Sequence, residues 1–191
     1  HPLLDEDMPS EGRPARFSRM PQIEIRPAPV LGQHTREIAR RLVDAGADLV
    51  IGHHPHVLQP AERLVTKDGR RAAVFYSLGN FLSDMCPGRS PSDLCDRRQG
   101  AVATARFVRD GSGRVRLDDV GVVPTWTEHR DGCHDDDPQD VHCVRPIVLE
   151  AEIARLEARV AEVPELAPVI EGHRRRRDVI LRHVGPHGRF E

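Results

Sequence analysis

Histidine crowds one short stretch of this chain: His53, His54 and His56 fall within Gly52-His53-His54-Pro55-His56-Val57. Imidazole is the commonest metal ligand and the side chain whose ordinary pKa lies nearest neutrality. His54 and His56 are two apart. An extended backbone continuing through Pro55 would put both rings on one side, within reach of one ion or of two neighbouring ions. His53 would face the other way, as a ligand or as an outer donor to substrate. Imidazoles without a carboxylate beside them suit manganese, zinc or iron better than calcium or magnesium. The bland alternative is a polar loop that happens to be rich in histidine. The residues ahead of the cluster weigh against it. Residues 47–51, Ala-Asp-Leu-Val-Ile, form an apolar run that ends at Gly52. Such a run reads as a buried strand opening into a loop, and open α/β sheets bind ligands at that end of their strands.

Two neighbouring elements must hold this loop in place. Residues 33–45 have helical periodicity, with Ile38, Ala39, Leu42 and Ala45 on one face and Arg36, Glu37, Arg40 and Arg41 on another. Gly46 stops the helix, and the short connection lays it against the next strand. Downstream, residues 61–66 and 71–77 are β-prone runs flanking Lys67-Asp68-Gly69-Arg70, and Asp-Gly between such runs predicts a hairpin. Its second arm returns the chain to Tyr76-Ser77-Leu78-Gly79-Asn80-Phe81. Asn80 is either a turn residue tolerating an unusual backbone angle or a group that faces the histidines; the pattern leaves both open.

Gly46-Ala47-Asp48, then Val50-Ile51-Gly52-His53-His54-Pro55-His56-Val57, then Tyr76-Ser77-Leu78-Gly79-Asn80-Phe81 together resemble a known family. It is the bacterial capsule-synthesis family named for the poly-gamma-glutamate protein CapA, a branch of the calcineurin-like metallophosphoesterases. The chain is similar to the C-terminal part of that family over about residues 20–130, bounded by where periodic structure stops. Glu24, Pro29 and Gln33 fit the weaker pattern ahead of the helix. The resemblance implies an α/β fold: a partial calcineurin-like sandwich, with a mixed sheet and flanking helices, followed by a C-terminal helical tail. It implies His54, His56 and Glu24 as metal ligands, with His53 and Asn80 in catalytic positions. The cofactor it implies is a divalent transition metal, Mn, Zn or Fe, two ions about 3.5–4 Å apart in a complete enzyme holding a bridging hydroxide. The implied partners are a capsule polymer or phosphoester substrate and the capsule-synthesis machinery.

The chain also departs from the family pattern. A His-Trp-Gly triplet normally precedes the glutamate, and here Met20, Pro21 and Gln22 stand in its place. The family's earlier aspartate and Asn-His signatures are absent. The expectation is a metal-dependent hydrolase that is catalytically incomplete in these residues. The alternative is a non-catalytic cell-envelope scaffold that keeps the fold.

The remaining sequence bounds the problem. A chain of 191 residues suits one domain with its own core, and aromatics at 4% leave that core to Val, Leu, Ile and Ala. A net charge of −2 gives no pull toward nucleic acid or an anionic surface. No run approaches the ~18 apolar residues of a membrane span. Three segments are expected: an irregular N-terminal stretch over 1–19, the capsule-family portion over 20–130, and a cysteine loop with a helical tail over 131–191. The first residue is His1, and 1–19 has no apolar run of signal-peptide type, so the expectation is a processed chain or a fragment.

Cys86 and Cys95 bracket one loop, Cys133 and Cys143 another. Neighbour pairing is one of three possible connectivities and would point to an extracytoplasmic or cell-envelope location. The rival is a metal site built from Cys133, His134, His142 and Cys143. Residues 101–108 and 114–123 predict a second hairpin, with Trp126 as a plug at the sheet edge. Residues 148–163 and 168–184 predict two helices, and Arg174 to Arg177 predict a solvated face rather than a nucleic-acid contact.

Overall fold

The computed structural model describes residues 31–83, 96–129, 144–185 and 188–189. Glu24, Met20 and all four cysteines lie outside the described residues, and so do the expectations placed on them.

The first helix, α1 (Gln33–Asp44), ends as predicted. The Ala45 amide donates to the Arg41 carbonyl and Gly46, with φ 119°, turns the chain. Its packed face differs from the expected one. Ala39 and Val43 are buried at 4% and 0% exposure, while Ile38 and Leu42 remain 46% and 47% exposed. The cause is the partner surface: Leu31, Ala72, Val74 and Tyr76 form one compact layer that takes Ala39 and Val43. Only a narrow stripe of the helix reaches it. Arg70 locks the end of the helix to the start of the first strand, donating to the Val43 and Ala47 carbonyls and pairing with Asp48 at 2.8 Å. Asp48 is therefore committed to structure, at the end of the strand away from the histidines.

Strands β1 (Leu49–Ile51), β2 (Leu58–Val65) and β3 (Arg71–Leu78) make a three-stranded sheet in the order β1-β3-β2. β1 runs parallel to β3, with Val50 opposite Val74; β2 runs antiparallel to it, with Ala61 opposite Phe75. This mixed pairing follows from the helix-to-strand entry on one side and the Asp68-Gly69 hairpin on the other. Side chains alternate along a strand, and β3 uses both of its faces. Ala72, Val74 and Tyr76 pack toward α1, while Ala73, Phe75 and Leu78 enter the main core.

The second sheet contains β4 (Gln99–Arg109), β5 (Val115–His129) and β6 (Val144–Val148) in sequence order, with β7 (Gly188–Arg189) also against β5. The predicted hairpin is present and longer than expected. Its turn is set by Asp110, whose Oδ1 accepts from the Ser112 and Arg114 amides. The register steps from Arg106 opposite Asp119 to Phe107 opposite Leu117, so Asp118 is the extra residue of a bulge in β5. Trp126 is a core residue at 2% exposure, but β5 is the middle strand of this sheet and not its edge.

Helices α2 (Leu149–Glu157) and α3 (Ala167–Val184) complete the fold. The periodicity seen from residue 148 becomes helix only at Leu149, because Val144–Val148 is drawn into pairing with β5. Leu149, Ile180 and Val184 share one core with Leu58, Phe75, Leu117 and Trp126, so the C-terminal helices bind both sheets together. The arginine run is paired along its length: Arg174 with Glu157, Arg175 with Glu171, Arg177 with Glu150 and Asp178, and Arg176 over the Trp126 ring. The architecture is thus mixed α/β, two small sheets with helices packed on them.

Candidate metal-binding loop

The parallel β1/β3 pair carries the chain to Gly52, whose amide still donates to the Phe75 carbonyl at 2.7 Å. There the strand stops. The extended course expected through Pro55 is replaced by an irregular loop in which His54 has φ 113° and His56 φ 57°. Positive φ is uncommon for a non-glycine residue, and such positions cost on the order of 1–3 kcal/mol each. Two of them within three residues of an exposed loop mean that the surroundings dictate the backbone. His53, His54 and His56 are all exposed. Period-two reasoning about which way each ring points does not apply to this loop.

The structure closes the question left open at Asn80. Its Oδ1 lies 2.9 Å from His56 Nδ1, while its Nδ2 donates to the Arg97 carbonyl at 2.9 Å and to the His56 carbonyl at 3.3 Å. Nδ2 faces two carbonyl oxygens, so it is the donor end of the amide and Oδ1 is the acceptor. His56 Nδ1 must then carry the proton, which leaves the lone pair on Nε2. A metal-ligating imidazole needs this tautomer, held by a partner on its other nitrogen. The bond to Asn80 leaves the His56 Nε2 lone pair available as a single ligand atom. Asn80 touches His56 through both its amide oxygen and its amide nitrogen.

Asn80 reaches His56 because two backbones approach closely. Gly79 bridges to Gly100, joining the end of β3 to the start of β4. A Cβ on Gly79 would lie 2.4 Å from the Gln99 carbonyl oxygen, and one on Gly100 would lie 2.1 Å from that of Asn80. Ser83 and Arg97, which the sequence did not single out, complete the amide's surroundings, Ser83 Oγ accepting from Nδ2 at 3.3 Å. Arg97 contributes only its carbonyl, and a backbone group leaves no signal in residue types.

Among the described residues, the histidine loop does not bring three ligand atoms within 4.8 Å of one another. One set does so elsewhere: Glu128 on β5, Glu152 on α2 and His173 on α3. Arg155 holds the Glu152 carboxyl below its usual pKa by hydrogen bonding, and burial, followed by Arg176, holds the His173 imidazole below its own. His173 Nε2 is buried with no hydrogen-bond partner. Such an unmet group costs about 1–3 kcal/mol.

The fold is mixed α/β, with the histidine loop at the end of a parallel strand. Residues 28–85 match the family described as bacterial capsule synthesis protein PGA_cap, and this stretch is a segment of that family. The chain is 37% identical over 87 residues to the PGA biosynthesis protein CapA of Bacillus subtilis, covering 46% of this chain and 20% of that one. It is 55% identical over 47 residues to the capsule biosynthesis protein CapA of Bacillus anthracis, covering 25% and 10%. The chain thus spans a fifth or less of the length of these curated relatives. No solved structure matches it.

Proposed function

We propose that this chain contributes part of the metal-dependent hydrolase site of a capsule-synthesis protein, of the calcineurin-like metallophosphoesterase type and linked to poly-gamma-glutamate capsule assembly or export. The observation that carries this is the hydrogen bond from His56 Nδ1 to Asn80, which leaves His56 Nε2 free to bind a metal. His54 and His56 would hold the ion, and Glu24 is the ligand proposed to join them. When bound, a manganese, zinc or iron pair supplies an activated hydroxide for attack on a phosphoester or related centre. His56 and Asn80 set the direction of one ligand nitrogen. His53 is proposed to face the substrate. The substrate class follows the capsule names of the relatives, and a cell-envelope location follows with it.

Two imidazoles hold one ion loosely and do not fix a pair, because a two-metal site needs a bridging carboxylate and further ligands. The expected behaviour of residues 1–191 is therefore weak manganese or zinc binding with negligible hydrolysis of a chromogenic phosphate ester. Titrate each metal into the chain and into His54→Ala/His56→Ala, and assay both. Metal uptake at this loop should be lost in the double variant. Robust manganese-dependent turnover abolished by His54→Ala would show that the site is complete; equal metal binding in both proteins would remove the ligand assignment.

A further inference from the structure

We propose that Glu128, Glu152 and His173 form a second metal site, for a borderline divalent ion such as zinc, built beneath α2 and α3 and independent of the histidine loop. Three observations support it. The three side chains each present a ligand atom within 4.8 Å of the other two, although they come from three different elements. His173 is 3% exposed, and its unpartnered Nε2 points at Glu128 Oε1, 3.6 Å away, beyond hydrogen-bond distance. The carboxylates are braced from outside. Arg145 takes Glu128 Oε2 at 2.6 Å, which leaves Oε1 toward His173, and Arg155 holds both oxygens of Glu152 at 2.6 and 2.9 Å. Outer partners of this kind orient carboxylate ligands at metal sites.

The donor set is one imidazole nitrogen and two carboxylate oxygens, which suits zinc, manganese or iron(II) and leaves a fourth position open. Glu152 is 11% exposed at its side chain and Glu128 25%, so Glu128 is the more solvent-accessible of the two carboxylates. Arg145, 3.8 Å from Glu152 Oε1, and Arg176 add positive charge nearby and lower the affinity. Arg176 bears on the site more directly. Its Nη1 lies 3.4 Å from His173 Nδ1, and a guanidinium only donates, so without metal Nδ1 is the acceptor and Nε2 carries the proton. For zinc to take the Nε2 lone pair, the ring proton moves from Nε2 to Nδ1, and Arg176, which also only donates, must withdraw. Its stacking on Trp126, 4.8 Å from the ring centroid, gives it a position that does not depend on His173.

The test uses the full chain carrying His54→Ala/His56→Ala, stripped with a chelator and titrated with zinc by calorimetry and by competition with a chromogenic chelator. One zinc should remain bound, with an X-ray absorption spectrum of nitrogen and oxygen ligands and a single imidazole. Adding Glu128→Gln or Glu152→Gln removes a charged ligand and should weaken it by at least the roughly 10- to 100-fold that loss of an outer partner costs. Glu128→Gln retains the amide oxygen for Arg145, and circular dichroism confirms that it folds. Arg176→Gln, which can accept from Nδ1–H, should tighten binding by about tenfold, since it supplies an outer partner in place of a repelling charge. Loss of all zinc with the loop histidines, a sulfur-containing shell, or binding indifferent to both glutamate variants would overturn the proposal.

Discussion

The two candidate metal regions are built in opposite ways. The histidine loop gathers its chemistry within four residues, stands exposed, and holds His54 and His56 at positive φ. The Glu128, Glu152 and His173 group draws single residues from β5, α2 and α3 and is largely enclosed. In the loop, local backbone strain and one amide orient the ligands. In the enclosed group, the packing of two helices on a sheet does so. The loop depends on one contact between the sheets, the Gly79–Gly100 bridge that delivers Asn80, whereas the enclosed group depends on the packing of two helices on a sheet.

The largest test of this contrast is Trp126→Ala. Trp126 is fully buried beneath the enclosed group and is stacked by both Arg98 and Arg176. Its removal should cost about 3–5 kcal/mol in urea unfolding. In chain that remains folded, the zinc signal of the enclosed group should fall before that of the loop. Equal loss at both would mean that the loop also depends on the common core.

Gly100→Ala should be next. Its Cβ would strike the Asn80 carbonyl oxygen and the Thr125 hydroxyl, at 2.1 and 2.7 Å, so the two sheets must separate locally. The expected loss is about 1–3 kcal/mol, with weakened metal binding at the histidines and little change at His173. An unaltered melting temperature would count against the close approach.

Asn80→Ala isolates the tautomer. Without Oδ1 to hold the Nδ1 proton, His56 samples both tautomers and orientations, and metal binding at the loop should weaken by about tenfold. Calorimetry in the presence of Glu128→Gln removes the other group from the reading. Asn80→Asp, which still accepts at the same place, should restore binding; failure to do so would show that the amide's bonds to backbone carbonyls matter more.

The smallest effect concerns alkaline stability. Tyr76 is raised to about 12, first by burial and then by its hydrogen bond to Glu62. The phenol keeps its proton in the folded chain at pH values where the unfolded chain, near its ordinary 10, has lost it. The folded form therefore binds more protons between about pH 10 and 12, and stability falls as pH rises through that window. Tyr76→Phe should flatten the decline by on the order of 1 kcal/mol, seen in urea midpoints at pH 9 and 11. An unchanged slope would place the alkaline loss elsewhere.

Local rules in the sequence specify α1, both hairpins and the helix ending at Val184: periodicity of 3.6 or 2, Asp-Gly or Asp-Gly-Ser-Gly turns, and a glycine after the helix. They also locate the histidine loop, since a strand end and clustered ligands are adjacent in the chain. Tertiary packing selected the stripe of α1 that is buried, leaving Ile38 and Leu42 out, because that depends on the width of the layer it meets. It made Val144–Val148 a strand, since those residues gain their hydrogen bonds only from β5. It turned Asn80 toward His56 through the bridge between Gly79 and Gly100, a contact between two sheets that no local pattern records. It also brought Glu128, Glu152 and His173 together from separate elements, where each residue alone reads as an ordinary polar side chain.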